Sequence, residues 1–204
     1  MTVVITTAVK PIIGKSGLAE ERVRQAAEIY ANHGGKVRVA RVVMGIYSGS
    51  MLLQSATADF TTATSVMSKA MNDPSFQKLM EEREANPAAE MMGPMVFRTI
   101  YGDIGWDTHP VSQMRVYQMS RKNVPQAVSI LGEVDAMTDD VKVTGVAPVV
   151  TEDMTLIHAT YQFKSITEWG EQVDKIGMSE EFQNIVDRAN ELGTLVSSGV
   201  YMTI

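Results

Sequence analysis

The sequence predicts an α+β protein made of two successive units with one plan: strand, helix, two strands, helix, strand. Three observations carry that prediction. An eleven-residue segment recurs, Ser50–Phe60 (SMLLQSATADF) against Asp153–Phe163 (DMTLIHATYQF), sharing Met, Leu, Ala, Thr and Phe at an offset of 103. The ends of the halves match as well: Val96-Phe97-Arg98-Thr99-Ile100 faces Val200-Tyr201-Met202-Thr203-Ile204 at an offset of 104, with Phe76-Gln77 and Phe182-Gln183 between the anchors. Hydrophobic periodicity then switches between the strand and helix repeats in the same order in each half. The units run over residues 1–102 and 113–204, joined by a Gly-, Asp- and Pro-rich linker, Gly102–Ser112.

In the first unit, Val3–Val9 is a strand-like apolar run. Leu18–Asn32 carries Ala19, Val23, Ala26, Ala27 and Tyr30 at helical spacing, and Gly34-Gly35 stops it. Lys36–Gly45 and Met51–Phe60 read as a strand pair across Tyr47-Ser48-Gly49-Ser50. A helix follows over Thr62–Met71. Asp73-Pro74 restarts it as an N-cap and first-turn proline, with Phe76, Leu79 and Met80 on one face, and Met95–Tyr101 closes the unit as a strand. Aligning the first strands needs an offset near 113, which assigns the first unit about nine extra residues around Lys10–Gly17.

In the second unit, Gln113–Ser120 is the first strand and Val124–Met137 the helix, with Pro125 tolerated in its first turn. Val141–Val149 and Met154–Phe163 form the next strand pair. Ser165-Ile166-Thr167-Glu168 is a capping box launching a helix that turns Ile166, Trp169, Val173 and Ile176 inward. Ser179 caps a second helix with Phe182, Ile185, Val186 and Ala189, ended by Leu192-Gly193, and Val196–Ile204 is the last strand.

Composition narrows the function classes. With 204 residues, the chain can bury a sizeable core without staples. A net charge of −6 argues against nucleic acid and against anionic membrane surfaces. There is no cysteine, which excludes disulfides and thiolate chemistry and suits a reducing compartment. The N-terminal apolar run lacks a basic leader, and no stretch is long enough to span a bilayer, so the cytoplasm is the expected location. The three histidines are scattered and no GxGxxG, Walker, GxSxG or HExxH pattern occurs, so neither a cofactor nor a metal is expected. The partner expected is a small molecule.

The element order, together with Phe163-Lys164-Ser165-Ile166-Thr167-Glu168-Trp169 and Glu180-Glu181-Phe182-Gln183, resembles the dimeric α+β barrel superfamily. Counterparts in the first unit are Phe60-Thr61-Thr62 and Pro74-Ser75-Phe76-Gln77. The resemblance covers nearly the whole chain and includes antibiotic-biosynthesis-monooxygenase, NIPSNAP and EthD-like domains. It implies two ferredoxin-like units whose antiparallel sheets pair into one barrel within the chain, with a pocket between each sheet and its helices. Association of two such chains into a homo-oligomer is compatible with it. The superfamily includes cofactor-free monooxygenases, isomerases, cyclases, haem-handling enzymes and stress-responsive proteins, so the fold alone assigns no reaction. Haem would need an axial ligand on a pocket helix, and the second unit has no helical histidine.

Six residues are candidates for a site. His158, mid-strand, is a candidate general base, the alternative being a core histidine satisfied by one hydrogen bond. Tyr161, which the offset of 103 sets against Ala58, is a candidate donor. With Trp169, set against Val66, and with Tyr117 and Tyr201, it is expected to line a flat aromatic slot for a phenolic or polycyclic substrate, the alternative being core packing. Arg98 is a candidate for binding a carboxylate or enolate; Arg41 and Arg115 are also strand-borne, and such residues more often pair with a nearby acid. His33 is expected to cap a helix end and His109 to lie solvated in the linker. Two functions follow: a small-molecule enzyme performing cofactor-independent oxygenation, isomerisation or cyclisation of an activated carbonyl or phenolic compound, or a non-catalytic binding or assembly module.

Overall fold

The computed structural model, which describes residues 1–204, has eight strands in one closed antiparallel barrel flanked by six α-helices. The first half contributes β1 (Val3–Pro11), α1 (Ser16–Asn32), β2 (Lys36–Met44), β3 (Met51–Thr57), α2 (Phe60–Met71), α3 (Pro74–Ala85) and β4 (Ala89–Tyr101). The second contributes β5 (Val111–Met119), α4 (Val124–Asp135), β6 (Lys142–Val150), β7 (Leu156–Phe163), α5 (Ile166–Gln172), α6 (Glu180–Leu192) and β8 (Gly193–Thr203), with a π-helical segment, Val173–Gly177, continuing α5. Each half forms a four-stranded sheet, β4-β1-β3-β2 and β8-β5-β7-β6. The edge strand β2 pairs with β8 and β6 with β4, so neither sheet keeps an open edge.

The ends of the elements follow the expected chemistry. Asp73 accepts from the Ser75 N–H at 2.8 Å with Pro74 in the first turn, Ser165 accepts from the Glu168 N–H at 3.0 Å, and Ser179 accepts from the Phe182 N–H at 3.2 Å. The Glu168 carboxylate returns to the Lys164 backbone N–H, one residue before the cap. β4 starts six residues earlier than expected because Ala89–Met92 continues along β1 beyond a register shift, turning Met91-Met92 into exposed strand. Phe60 opens α2 where its expected counterpart Phe163 closes β7, because Asp59 accepts from the Thr62 N–H and starts the helix early.

The ladders correct the alignment of the halves. Lys36 pairs with Ala56 and Lys142 with Gln162; Val3 pairs with Thr57 and Arg98, and Val111 with Phe163 and Met202. Around the closed ring these pairings admit one equivalence, with offsets of 108 for β1/β5, 106 for β2/β6 and β3/β7, and 104 for β4/β8. The match at 103 lies in equivalent strands but three residues out of register, and an odd slip exchanges the two faces of a strand. The burial pattern repeats at 106, not 103: Met51–Thr57 and Ile157–Phe163 show the same alternation. His158 is therefore equivalent to Leu52, Tyr161 to Ser55 and Trp169 to Ala63, and the surplus between the first two strands of the first unit is two residues, not nine.

The ends of β1 and β5, which lead into α1 and α4, and the two hairpins β2–β3 and β6–β7 lie at one end of the barrel, here the upper end; β3 and β7 run down to the starts of α2 and α5 at the lower end. The lower end holds the linker. Ile104 and Trp106 pack against Val4, Ala56 and Phe97 across that mouth. Gln162, 1% exposed, accepts from the Gly105 N–H at 3.0 Å and donates to Thr144 Oγ1 at 2.8 Å and to the Asp103 carbonyl at 3.3 Å. His109, expected to be solvated, is buried, with Nδ1 2.8 Å from Thr108 Oγ1. His33 ends α1 as expected and bonds Asp73 Oδ2 at 3.0 Å, tying α1 to the start of α3.

Candidate functional site

Along β7 the side chains alternate. Ile157, Ala159, Tyr161 and Phe163 join the core under α4 and α6, while Leu156, His158, Thr160 and Gln162 point into the barrel. The same alternation puts Gln113, Arg115 and Tyr117 of β5 on the helix side. Between this outer face and α5, the π-helical segment and α6 lies a cavity of about 130 Å³. That is close to the volume that holds a single benzene ring in a protein interior, about 150 Å³. Its polar lining comes from Gln113, Arg115, Thr138, Tyr161, Trp169 and Gln172; the rest is apolar. A π-helical turn widens the helix locally, and such turns gather at functional sites.

The Arg115 guanidinium lies 5.8 Å from the ring centre of Tyr161 and 5.3 Å from that of Phe182. No carboxylate pairs with it, and its nitrogens are not sealed from water-sized access. A cation over aromatic faces is attracted to them, but two rings do not replace a counter-ion. Burial pushes the Tyr161 hydroxyl up to about 12, so it stays protonated and can donate. The Trp169 indole N–H donates to Gln113 Oε1 at 3.0 Å, which fixes the indole plane as one wall. Gln172 Oε1 is sealed and has no partner. A second, smaller cavity of about 40 Å³ lies behind, lined only by apolar and aromatic side chains including Tyr117, and shares Val134, Tyr161 and Phe182 with the first.

Of the expected site residues, Tyr161 and Trp169 line the larger cavity and Tyr117 the smaller one. His158 and Tyr201 do not join them. Both face the barrel interior, His158 against Phe97 at 4.9 Å between ring centres and Tyr201 beside Ala40 and Val42. The sheet stands between His158 and Tyr161, so the two cannot act on one small molecule as base and donor. Arg98 pairs with Val3 and Ala147 on the outer face where the sheets join, away from both cavities. The residues missed as a group are Arg115, Gln113 and Gln172. The signal was present: Gln113 and Arg115 are polar residues on the strand face that Val111 and Tyr117 mark as core.

No protein-family model matches the chain, and no curated protein does. Solved structures share its fold across nearly its full length. A candidate monooxygenase from Fusobacterium nucleatum subsp. nucleatum superposes with a TM-score of 0.66 at 6% identity, covering 99% of this chain and 92% of that one. An anthrone oxidase-like protein gives 0.65 at 14%, covering 100% and 91%. A chlorite dismutase from Candidatus Nitrospira defluvii gives 0.51 at 11%, covering 98% and 90%. No histidine lines either cavity, so neither offers an imidazole to a haem iron. No helix is long and apolar enough to cross a membrane. The chain thus has the ferredoxin-like α+β barrel fold of these proteins, with both sheets supplied by one polypeptide.

Proposed function

We propose that the second half of the chain binds a flat phenolic or enolisable small molecule in the cavity under α5 and stabilises its anion. The observation that carries this is Arg115, a half-buried guanidinium without a carboxylate, in a cavity whose lining contains no acid. A bound oxyanion supplies the missing charge, the Tyr161 hydroxyl is a second donor, and Trp169 and Phe182 are ring-sized walls. The enclosed volume takes one ring, and the remainder of a larger ligand would lie at the mouth against Met178. An enolate or phenolate so held is electron-rich, the state in which an organic molecule reacts with dioxygen without a cofactor. With anthrone, the case the fold relative suggests, the methylene carbon becomes a carbonyl; one atom of O₂ enters the product and the other leaves as water.

The second reading is binding without turnover. It is favoured by the lining itself, which offers no carboxylate or imidazole to take the proton. Ionisation of bound p-nitrophenol, read by its absorbance, tests the shared element. We expect its apparent pKa to fall by roughly one unit on binding, about 1.4 kcal/mol in favour of the anion, and Arg115→Met to abolish the fall. An unchanged pKa in the wild type sinks the reading. Oxygen uptake with anthrone, present or absent, then separates the enzyme from the binding module.

A further inference from the structure

The barrel interior is not uniformly filled. An eight-stranded barrel has an interior that side chains just fill or that holds one small ligand. Here the lower part is filled: Val4, Arg38, Ala56, Ser112, Thr144 and Gln162 are all buried beneath the linker. In the layers from Arg38 and Thr144 upward, Thr6, Ala40, Val42 and Val116 are buried, but other inward-facing residues retain exposure although strands surround them. Ala8, Leu52, Gln54, Met114, His158 and Thr160 are each only partly buried, and with Thr6, Gln54 and Thr160 the only polar company is uncharged. The surface they keep faces the barrel axis. The interior above the linker is thus incompletely filled and forms a blind well floored by Ile104 and Trp106.

His158 stands about three residues, roughly 10 Å, below the upper end of its neighbour β5. Neither ring nitrogen has a hydrogen-bond partner in the protein, and neither is among its sealed polar atoms. Both therefore present a donor and an acceptor to the well. At the same level Ala8, paired with Leu52, is small and only partly buried, whereas Ala40 on the other side of Leu52 is closed against Val42 and Tyr201. The mouth above is rimmed by exposed apolar side chains from the hairpins and strand ends of both halves: Met44 and Ile46 from one, Val150, Met154, Leu195 and Val196 from the other.

We propose that this well is a second binding site, separate from the cavity under α5, for a slender, uncharged, apolar molecule with one hydrogen-bonding group that His158 reads. Charge is confined to the rim, where Lys10 and Glu90 pair with each other at 3.6 Å; below it the well carries no exposed charge, since Arg38 is closed off beneath Trp106 with its Nη1 donating to Ser112 Oγ at 2.8 Å. A charged head would lose its water without gaining an ion pair. An apolar body leaves the well past the rim, where it covers side chains otherwise left to water.

N-phenyl-1-naphthylamine, uncharged with a single N–H donor, is the probe. Its fluorescence should rise on binding at one site, be reversed by 1-decanol, and persist in saturating p-nitrophenol, which occupies the outer cavity. Ala8→Phe, filling the well, should weaken binding at least tenfold; His158→Leu, which installs the residue found at Leu52, should weaken it severalfold with the fold intact. Absence of binding, displacement by p-nitrophenol, or full retention in His158→Leu overturns the proposal whatever becomes of the outer cavity. If Ala8→Phe does not fold, the His158→Leu and p-nitrophenol measurements decide it alone.

Discussion

The two halves place a helical stretch of equal length over equivalent parts of their sheets, and only one leaves a cavity there. In the first half, Phe60–Met71 is regular α-helix and buries Ala63, Val66 and Ala70 against β1 and β3. In the second, Ile166–Gly177 is seven residues of α-helix followed by a π-helical segment, and none of its residues is fully buried. The difference lies in what stands beneath. Ser55 and Ala63 let the first helix settle onto its sheet, whereas Tyr161 and Trp169, at the same positions, prop the second away from it. The larger side chains make the space. A pocket in this fold arises from bulk at two positions on facing layers, not from a deletion.

The comparison can be broken most severely by giving the first half the second half's indole. Ala63 is 2% exposed against Val3 and Ile5, so Ala63→Trp should cost upward of about 3 kcal/mol, the overpacking penalty of a site that cannot open; urea unfolding measures it. A wild-type midpoint would mean that α2 can be lifted as α5 is.

Next comes His158, where the first half has Leu52. Burial holds its imidazole down to about 4. Because the folded state binds this proton less tightly than the unfolded chain does, its stability is complete above the ordinary histidine pKa near 6.5 and declines as pH falls toward 4. The loss amounts to at most about 3 kcal/mol at pH 4, less to the degree that water in the well solvates the ring. His158→Leu should leave stability at pH 7.5 nearly unchanged and flatten its fall between pH 6.5 and 4; urea midpoints across that range show it. The smallest effect concerns the caps. Ser165→Ala and Asp59→Ala each remove one capping bond, and each should cost about 1 kcal/mol, but only Ser165→Ala should also loosen the p-nitrophenol site, because α5 carries Trp169.

Much of this was legible in the sequence. The duplicated plan, the order of elements and the caps at Asp73, Ser165 and Ser179 all follow from local chemistry, which a single chain displays. The alternation of β7 also separated His158 from Tyr161 in advance, although both were placed in one site. What misled was the strongest-looking match. Identities at an offset of 103 outvoted the pairing register, which depends on partners distant in sequence and is visible only once the ring of strands closes. Alignment by burial, at 106, would have set Trp169 against Ala63 and Tyr161 against Ser55, exposing the change of size that makes the cavity. Arg115 was passed over because a strand arginine usually has an acid beside it, and the lack of one is a three-dimensional fact.

The short linker Gly102–Pro110, which floors the barrel, also ties its two halves together. In a barrel assembled from two identical polypeptides, every substitution is entered twice, so neither lobe can be remodelled without the other, and closure weakens on dilution. Here a tether of a few residues keeps the partners at a high effective concentration whatever the amount of protein. Drift in one lobe is then free to open a cavity while its twin stays closed.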